Sequence, residues 1–273
     1  MTGVQTCALP ISLQAVDLIA AEDTRHTGRL LQHFQIATPQ TSYHAHNWRS
    51  RLPILLAHLQ AGKALALVSD AGMPGISDPG FELVEACVRE SIPVVPIPGC
   101  TAAVTALCVS GLNPQPFAFE GFLPPKGKAR RDRLQDLAQE TRTIVLYEAP
   151  HRLLATLTDL QNCFEESRSV AIARELTKQY EEIWRGPLAA GLQHFQTHAP
   201  RGEFTLVIAG KSAAAIAPPT DDDITRRLQA LLQAGLSQSQ ASRQLAQETG
   251  RSRREIYQLA LSVLTGAEAV DPE

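Results

Sequence analysis

The sequence predicts an α/β protein with two α/β domains and a small helical domain at its carboxyl end. Short apolar runs alternate with amphipathic stretches over residues 13–115, and the same rhythm returns over residues 116–212. From residue 224 onward only helical patterns remain. The 273 residues are 44% hydrophobic and 19% charged, which is typical of globular chains that bury a core.

The first twelve residues do not fit this rhythm. The segment MTGVQTCALPIS has no charge and continues no periodicity, and the pattern resumes at Leu13 as though in the middle of a helix. We therefore expect a leader foreign to the fold and a truncated start. If the leader cannot replace a missing strand, unpaired backbone groups in the first sheet would make this chain fold poorly or leave it inactive.

The first domain, residues 13–115, is predicted to hold a parallel sheet covered by helices. The expected strands are VDLIAAED, SYHAH, ALALVSDAG and PVVPIPG, and the expected helices include TGRLLQHF, LPILLAHLQAG and FELVEACVRE. On a strand His44 and His46 would face one side, but a third ligand is not obvious nearby. Such a pair is more often a polar strand edge than a metal site, so no metal is expected.

The second domain, residues 116–212, repeats the rhythm after a loop rich in glycine and proline around residues 111–116. Its strands are expected at TIVLYEA, SVAIARE and FTLVIAG, with helices at RRDRLQDLAQE and RLLATLTDLQNCF. Residues 213–223 then form a linker of small residues, prolines and acids.

Residues 224–266 are predicted to form three short helices, an arrangement similar to helix-turn-helix domains. This segment has a formal excess of positive charge, with six arginines and two glutamates. They are Arg226, Arg227, Arg243, Arg251, Arg253 and Arg254, and Glu248 and Glu255. Contact with RNA and a solvated cap or dimerisation module both remain open.

Several function classes are excluded by what the sequence lacks. The formal net charge of −3, the lack of a long apolar run and the lack of a signal peptide predict a soluble, cytoplasmic protein without membrane contact. The five cysteines are scattered without CxxC spacing, which argues against disulfides and zinc. No GxGxxG or P-loop follows a strand, so NAD chemistry and nucleotide hydrolysis are unsupported.

Two strand-to-helix loops are the strongest candidates for a ligand site. In ALVSDAGMPGISDPG, residues 66–80, an expected strand enters a loop rich in glycine and proline, in which Asp78 is positioned to cap the next helix. In PIPGCTAAVTAL, residues 96–107, a second tight turn precedes a helix that starts with small residues. Open α/β sheets bind ligands at the carboxyl ends of their strands. An ordinary long turn is the alternative for the first loop.

A basic segment over residues 124–133 is the strongest candidate for nucleic-acid contact. The segment has five basic residues and one acidic residue, Asp132. The basic residues are Lys126, Lys128, Arg130, Arg131 and Arg133. Phosphate contact is the natural use of such a cluster at a loop-to-helix junction. The alternative is a solvated helix face.

Six ordered motifs resemble a known family. They are AAEDTRHTGRLL, SDAGMPGISDPG, PGCTAAVTAL, EGFLPPKGKARRDRL, YEAPHRL and ARELTKQYEEIWRG. Together they closely resemble the ribosomal RNA small subunit methyltransferase I group of the tetrapyrrole (corrin/porphyrin) methylase superfamily, over about residues 13–210, and the tail resembles that group's helical C-terminal domain. A complete member opens with a strand and a loop lining the cleft, and residues 1–12 match neither.

The superfamily implies two α/β domains with S-adenosylmethionine bound in the cleft between them, and a homodimer is plausible. The group implies 2′-O-methylation of a cytidine ribose in the decoding region of 16S rRNA, on the RNA or the small ribosomal subunit. Two rival functions remain: C-methylation of a tetrapyrrole precursor, and a non-catalytic ligand sensor that binds nucleic acid.

The resemblance also implies which residues contact the cofactor. In the first loop they are Ser69, Asp70, Ala71, Gly72, Pro74, Ser77, Asp78, Pro79 and Gly80, and in the second loop Pro98, Gly99, Thr101 and Ala102. In the second domain they are Tyr147, Glu148, Ala173 and Arg174. A structural ion pair between Glu148 and Arg174 is the alternative for those two.

Methylation of a ribose hydroxyl needs help from the protein, because this hydroxyl is a weak acid. The end of the expected strand VDLIAAED offers Glu22 and Asp23, with Asp23 as the base and Arg25 as the partner of a phosphate or alkoxide. Glu175 and Lys178 are expected to face them from the second domain. The alternative is that Asp23 caps a helix, with Arg25 as its partner.

Overall fold

The computed structural model describes residues 3–212, 220–249 and 251–265. The chain divides into two compact units, Met1–Lys211 and Ser212–Glu273. The first unit contains two β-sheets, and the second contains helices. Most of the predicted linker, residues 213–223, lies outside the described residues, as does residue 266. Within the described ranges no helix is long and apolar enough to cross a membrane.

The first sheet has three parallel strands in the order β2-β1-β3. They are β1 (Leu18–Ala21), β2 (Gln40–Ser42) and β3 (Leu65–Val68). The helices of this half are α1 (Gly3–Ala15), α2 (Thr24–His33), α3 (Trp48–Gln60), α4 (Phe81–Arg89) and α5 (Ala102–Val109). Ile19, Ala20 and Ala21 of β1 are fully buried between them, as is typical of a parallel sheet covered on both faces.

Helix α1 runs through most of the predicted leader and ends at Ala15. Leu13 is buried against Ile19 and Leu31, and its carbonyl accepts a 2.7 Å hydrogen bond from the Thr38 hydroxyl. The expectation that the pattern resumes inside a helix at Leu13 is therefore confirmed by the structure.

Two of the expected strands differ in the structure. The segment PVVPIPG forms no strand, and Val95 is 75% exposed. Three of its seven residues are prolines, which have no N–H to donate to a ladder, and within the described residues β3 pairs only with β1. In SYHAH only Ser42 belongs to β2, because Asn47 accepts a hydrogen bond from the His44 N–H and turns the chain into α3.

The second sheet has five strands in the order β4-β5-β8-β6-β7. They are β4 (Phe117–Phe122), β5 (Thr143–Glu148), β6 (Ser169–Arg174), β7 (Glu182–Pro187) and β8 (Phe204–Ile208), and the helices are α6 (Gly127–Gln139), α7 (Pro150–Cys163) and α8 (Leu188–Thr197). Only β4 and β5 are parallel, so the sheet is mixed rather than a second parallel one. Two of these strands, β4 and β7, were not predicted from the sequence, and β7 returns antiparallel to β6 without an intervening helix.

Both faces of the second sheet are covered. The leucines of α6, α7 and α8, such as Leu157, pack on one face of the sheet against Ile144 of β5 and Leu206 of β8. Helix α5 covers the other face, where Ala103 and Ala106 lie among valine and alanine side chains of the sheet. Because these helix residues are small, α5 approaches the sheet closely, and this places its first turn beside the end of β5.

The second unit contains α9 (Asp221–Gln233), α10 (Gln238–Thr249) and α11 (Arg253–Thr265). Its core is formed by Ile224, Leu228, Ala241, Leu245, Ile256 and Ala260. The hydroxyl of Thr220 caps α9 by accepting a 3.2 Å hydrogen bond from the Asp223 N–H. Residues from all three helices thus share one small core.

Candidate active site

The two glycine-rich loops meet at the carboxyl end of the first sheet. A Cβ atom on Gly99 would lie 3.2 Å from the Met73 sulfur, so the second loop lies directly against the first. Gly72 has a positive φ of 72°, and a Cβ there would meet no atom within 4 Å. Ser77 also has a positive φ, of 63°, which is uncommon for a residue other than glycine and recurs at ligand sites. The loops thus leave one side open.

Strands β4 and β5 reach these loops. A Cβ on Gly121 would lie 2.9 Å from the Ser77 hydroxyl oxygen, so β4 ends against the first loop. The Tyr147 hydroxyl, at the end of β5, accepts a 3.2 Å hydrogen bond from the N–H of Ala103 in the first turn of α5. The ring of Phe122 lies 5.8 Å from that of Tyr147. The ends of β4 and β5 therefore reach the first loop and the first turn of α5, and they carry two neighbouring aromatic side chains.

Carboxylates converge at the first loop. The Glu22 carboxylate accepts a 3.1 Å hydrogen bond from the Asp70 N–H, and the His26 ring lies 3.9 Å from the Asp70 carboxylate. Burial, together with the negative charges of Glu22 and Asp70, raises the pKa of Asp78 to about 6, although the Ser69 hydroxyl opposes this shift. Asp78 does not cap α4 as predicted, because Gly80 is the N-cap residue. The cluster favours a cationic ligand.

Asp23 has the capping role that the sequence left as the alternative. Its carboxylate accepts a 2.8 Å hydrogen bond from the Arg25 N–H and two more, of 3.1 and 2.7 Å, from the Arg25 guanidinium. These bonds hold the pKa of Asp23 well below its usual range. A carboxylate with so low a pKa is a poor general base, so the structure does not support that role for Asp23.

Glu175 and Lys178 form a separate network. The Glu175 carboxylate accepts hydrogen bonds from the Lys178 ammonium at 3.0 Å and from the Glu203 N–H at 2.9 Å, and the Lys178 ammonium also contacts the Glu203 carboxylate at 2.8 Å. These bonds, the one from Glu203 above all, lower the pKa of Glu175. In the described part of the chain no hydrogen bond or ion pair joins this network to Asp23 and Arg25, which were expected to face it.

Glu148 and Arg174 do not pair with each other. The Glu148 side chain is 1% exposed and accepts hydrogen bonds from the Thr156 hydroxyl at 2.5 Å and the Ala149 N–H at 2.9 Å, with the Arg152 guanidinium 3.3 Å away. The Arg174 guanidinium donates to the carbonyl of Arg201 at 2.7 Å and lies 3.4 Å from Glu182. The predicted ion pair between these two residues is therefore wrong. The Glu148 carboxylate is enclosed by its partners, and its contact with the cofactor stays a prediction.

Arg130 belongs to the same buried network, so its predicted contact with RNA has to be corrected. Its guanidinium donates to Asp159 at 2.7 Å, to the Thr156 hydroxyl at 2.8 Å and to the Pro124 carbonyl at 3.0 Å. Arg152 donates to the Leu123 carbonyl at 2.7 Å. The two guanidinium groups thus fix the backbone of the β4–α6 loop, and Arg130 is too enclosed to contact RNA.

The remaining cations of the basic segment are accessible. Lys126, Lys128 and Arg131 are exposed, and the Lys128 ammonium pairs with Asp132 at 2.6 Å. Arg133 is half-buried and pairs with Glu120 of β4. Glu120 and Phe122 were not predicted as site residues, because no strand was expected over FAFEGF and the glycine between them signals a bulge only within a strand.

Comparison with known proteins identifies the family. The Tetrapyrrole (Corrin/Porphyrin) Methylases family matches residues 12–190, and the RsmI C-terminal HTH domain matches residues 218–263. A ribosomal RNA small subunit methyltransferase I from Synechocystis sp. is 58% identical over 92% of this chain and 90% of its own. Another from Escherichia coli O157:H7 is 47% identical over 91% of this chain and 87% of its own.

Solved structures share the fold. A cobalt precorrin-4 methyltransferase of cobalamin biosynthesis aligns with a TM-score of 0.55 at 16% identity, covering 73% of this chain and 86% of its own. A uroporphyrin-III C-methyltransferase from Thermus thermophilus, solved with S-adenosylhomocysteine, aligns with a TM-score of 0.51 at 17% identity, covering 74% and 89%. These likenesses confirm the predicted fold class. The chain therefore belongs to the ribosomal RNA small subunit methyltransferase I family of tetrapyrrole (corrin/porphyrin) methylases.

Proposed function

We propose that this protein transfers a methyl group from S-adenosylmethionine to 16S rRNA of the small ribosomal subunit, at the ribose 2′-hydroxyl of a cytidine in the decoding region. The observation that carries the proposal is the contact between the loops at Gly99 and Met73, beside an exposed basic segment. The names of relatives up to 58% identical support rRNA as the acceptor. The position and the ribose oxygen rest on the resemblance of the motifs.

The residues of the two loops suit this cofactor. Glu22, Asp70 and Asp78 concentrate negative charge where a sulfonium cation would be favoured, and Gly72 leaves open space beside them. When bound, S-adenosylmethionine supplies an electrophilic methyl group. We propose that the loop residues Asp70, Gly72, Ser77, Gly99 and Thr101 hold it, with Tyr147 closing the site from the second sheet.

The protein's own contribution is then mainly alignment and exclusion of water, which together lower barriers substantially in well-oriented reactions. The proton of the ribose hydroxyl needs an acceptor whose pKa lies near the working pH. Asp78 meets that condition better than Asp23: it lies in the first loop next to Ser77, where β4 meets the loop, and burial raises its pKa to about 6, whereas Arg25 occupies the Asp23 carboxylate. We therefore assign the proton acceptor to Asp78.

An Asp78→Asn variant tests this assignment. Transfer by the parent protein should fall as pH drops below about 6, and the variant should lose turnover strongly at every pH. The raised pKa also has a stability consequence: the native state binds the proton more tightly than the unfolded chain, so the ionised carboxylate destabilises the fold as pH rises from 3.8 to about 6. The melting temperature of the variant minus that of the parent protein should therefore increase as pH rises from 3.8 to about 6.

The matched control is Asp23→Asn, which changes the carboxylate that pairs with Arg25. Its turnover and its melting temperature should both remain close to those of the parent protein, because asparagine caps a helix about as well as aspartate and the ion pair with the exposed Arg25 contributes little. Strong loss of turnover in Asp23→Asn, with Asp78→Asn fully active, would contradict the assignment.

The exposed cations should bind the RNA backbone. Replacing Lys126, Lys128 and Arg131 by glutamine should weaken RNA binding and reduce the slope of log affinity against log salt by about 2, at about 0.7 per single-stranded phosphate contact. Filter binding across a salt series measures the slope. A double variant of Lys63 and Arg89, which are exposed elsewhere in the first half, is the control. An equal slope in both variants would remove the basic segment from the RNA interface.

Labelled methyl transfer tests the proposed function directly against its rivals. Intact small subunits, naked 16S rRNA and a tetrapyrrole precursor are each incubated with the protein and methyl-labelled S-adenosylmethionine, and the RNA is digested to nucleosides. Label in 2′-O-methylcytidine is the expected result. Label in the tetrapyrrole would support the rival enzyme, and cofactor binding without transfer to any acceptor would support the sensor.

A further inference from the structure

A cavity of about 290 Å³ lies between β4 and α6, next to the candidate active site. Its lining includes Glu120, Phe122 and Leu123 from the strand and the loop after it, and Asp132, Arg133 and Asp136 from the helix. The volume is at the lower limit of ligand pockets, so it suits a single heterocycle better than a large cofactor. No step proposed above uses this cavity.

A β-bulge positions the acidic residue of this cavity. Phe119 pairs with Val145 and Gly121 pairs with Leu146, so Glu120 is the extra residue of β4. Gly121 has a φ of 62°, which a glycine tolerates, and it lies against Ser77 of the first loop. Bulges next to active sites re-aim side chains. Here the bulge directs the Glu120 carboxylate toward Arg133 of α6, while the next residue, Gly121, contacts Ser77 of the first loop.

The polar groups of the cavity form an adjacent acceptor and donor. The Arg133 guanidinium donates through Nε and Nη2 to one carboxylate oxygen of Glu120, Oε2. Within the described residues the other oxygen, Oε1, accepts no hydrogen bond, and Nη1 of Arg133 has only Asp136, at 3.9 Å. A ligand with a donor beside an acceptor would satisfy both groups at once.

The apolar wall of the cavity is an aromatic ring. Phe122 is 50% exposed, although it is a large apolar residue at the end of a strand. Its ring is supported by Tyr147, 5.8 Å away, and Lys126 and Lys128 follow in the adjoining loop. An exposed aromatic ring beside a basic segment is the arrangement on which unpaired bases stack.

We propose that this cavity binds the cytosine of the nucleotide that is methylated, stacked on Phe122 and read by Glu120 and Arg133. The exocyclic amino group of cytosine donates to the Glu120 carboxylate, and N3 beside it accepts from the Arg133 guanidinium. Uracil presents an acceptor and then a donor at these two positions, so it mismatches both protein groups. This inference rests on the proposed function, and it adds the groups that select the base.

Binding of hexacytidylate and hexauridylate, measured by fluorescence anisotropy, tests the proposal without requiring activity. The parent protein should prefer the cytidine oligomer by about five-fold or more. Glu120→Gln should bring this preference close to one, because an amide can donate to O4 of uracil as readily as it accepts from the amino group of cytosine. The matched control is Glu140→Gln at the other end of α6, where the Glu140–Arg142 pair has side chains 19% and 48% exposed, against 14% and 42% for Glu120 and Arg133.

Phe122→Ala should weaken binding of both oligomers by about ten-fold, because stacking tolerates either base. Its control is Phe117→Ala, at the start of the same strand and 39% exposed. In methyl transfer to RNA, Phe122→Ala should raise KM more than it lowers kcat. Melting temperatures show whether each variant is folded.

The proposal is overturned if Glu120→Gln keeps the cytidine preference of Glu140→Gln, or if Phe122→Ala binds like Phe117→Ala. Failure of the proposed function gives a different result, since the parent protein would then transfer no methyl group to RNA under any condition. Preferential binding of hexauridylate by the parent protein would also overturn the proposal.

Discussion

Gly99→Val is expected to reduce affinity for S-adenosylhomocysteine by about 100-fold or more, while the protein remains folded. A Cβ at residue 99 would lie 3.2 Å from the Met73 sulfur and 3.8 Å from the Gly72 carbonyl oxygen. The two methyl groups of valine would push the loops apart at their contact. Displacing reacting groups by about 1 Å can cost about two orders of magnitude in rate, and we expect a comparable loss of affinity when the donor loops are displaced by as much. Isothermal titration calorimetry measures the loss.

Gly99→Ala is the graded control for this prediction. A single methyl group meets only the flexible end of Met73, so the loop can adjust and most of the affinity should remain. Equal affinity of Gly99→Val and the parent protein would show that the contact between the loops does not form the donor site.

Replacing Glu148 by alanine is expected to give the largest loss of stability, about 3–5 kcal/mol in the free energy of unfolding. The buried carboxylate neutralises Arg152 and accepts a hydrogen bond from the Thr156 hydroxyl, and Arg130 donates to that hydroxyl in turn. Removing it leaves the half-buried Arg152 guanidinium without its carboxylate and the buried Thr156 hydroxyl without its acceptor. Urea denaturation followed by circular dichroism measures the change.

Glu140→Ala provides the comparison, since the Glu140–Arg142 ion pair lies near the surface and exposed pairs contribute little stability. In folded Glu148→Ala protein the affinity for S-adenosylhomocysteine should stay close to that of the parent protein. Normal stability combined with lost affinity would contradict the scaffold role and would restore the cofactor contact implied by the resemblance.

Much of the fold follows from local sequence pattern. The βα rhythm and the helical tail predict the class, because the alternation of apolar runs and amphipathic stretches reflects burial that each element needs wherever it is placed. The failures occur where pairing depends on a distant partner. PVVPIPG has the composition of a strand, but its prolines and the lack of a described neighbour leave it unpaired. Strand β7 was missed because Glu182 and Arg185 interrupt its apolar pattern.

The candidate site shows the same division. The loops at Gly72 and Gly99 were found from sequence, because glycine and proline report on backbone geometry directly. The roles of charged residues were not, since a carboxylate can equally be a base, a cap or a buried scaffold. Asp23 and Glu148 have ordinary local surroundings in the sequence, and only their partners Arg25 and Thr156 decide between these roles.

Amide hydrogen exchange with and without saturating S-adenosylhomocysteine tests the central claim most directly. We propose that the loops at Gly72 and Gly99 together form one binding site for the methyl donor, which Tyr147 closes at the end of β5. Peptides covering residues 69–80 and 98–103 should therefore exchange more slowly together when the ligand is bound, and a peptide containing Tyr147 should follow them. Protection confined to other segments, such as residues 124–133, would contradict the claim.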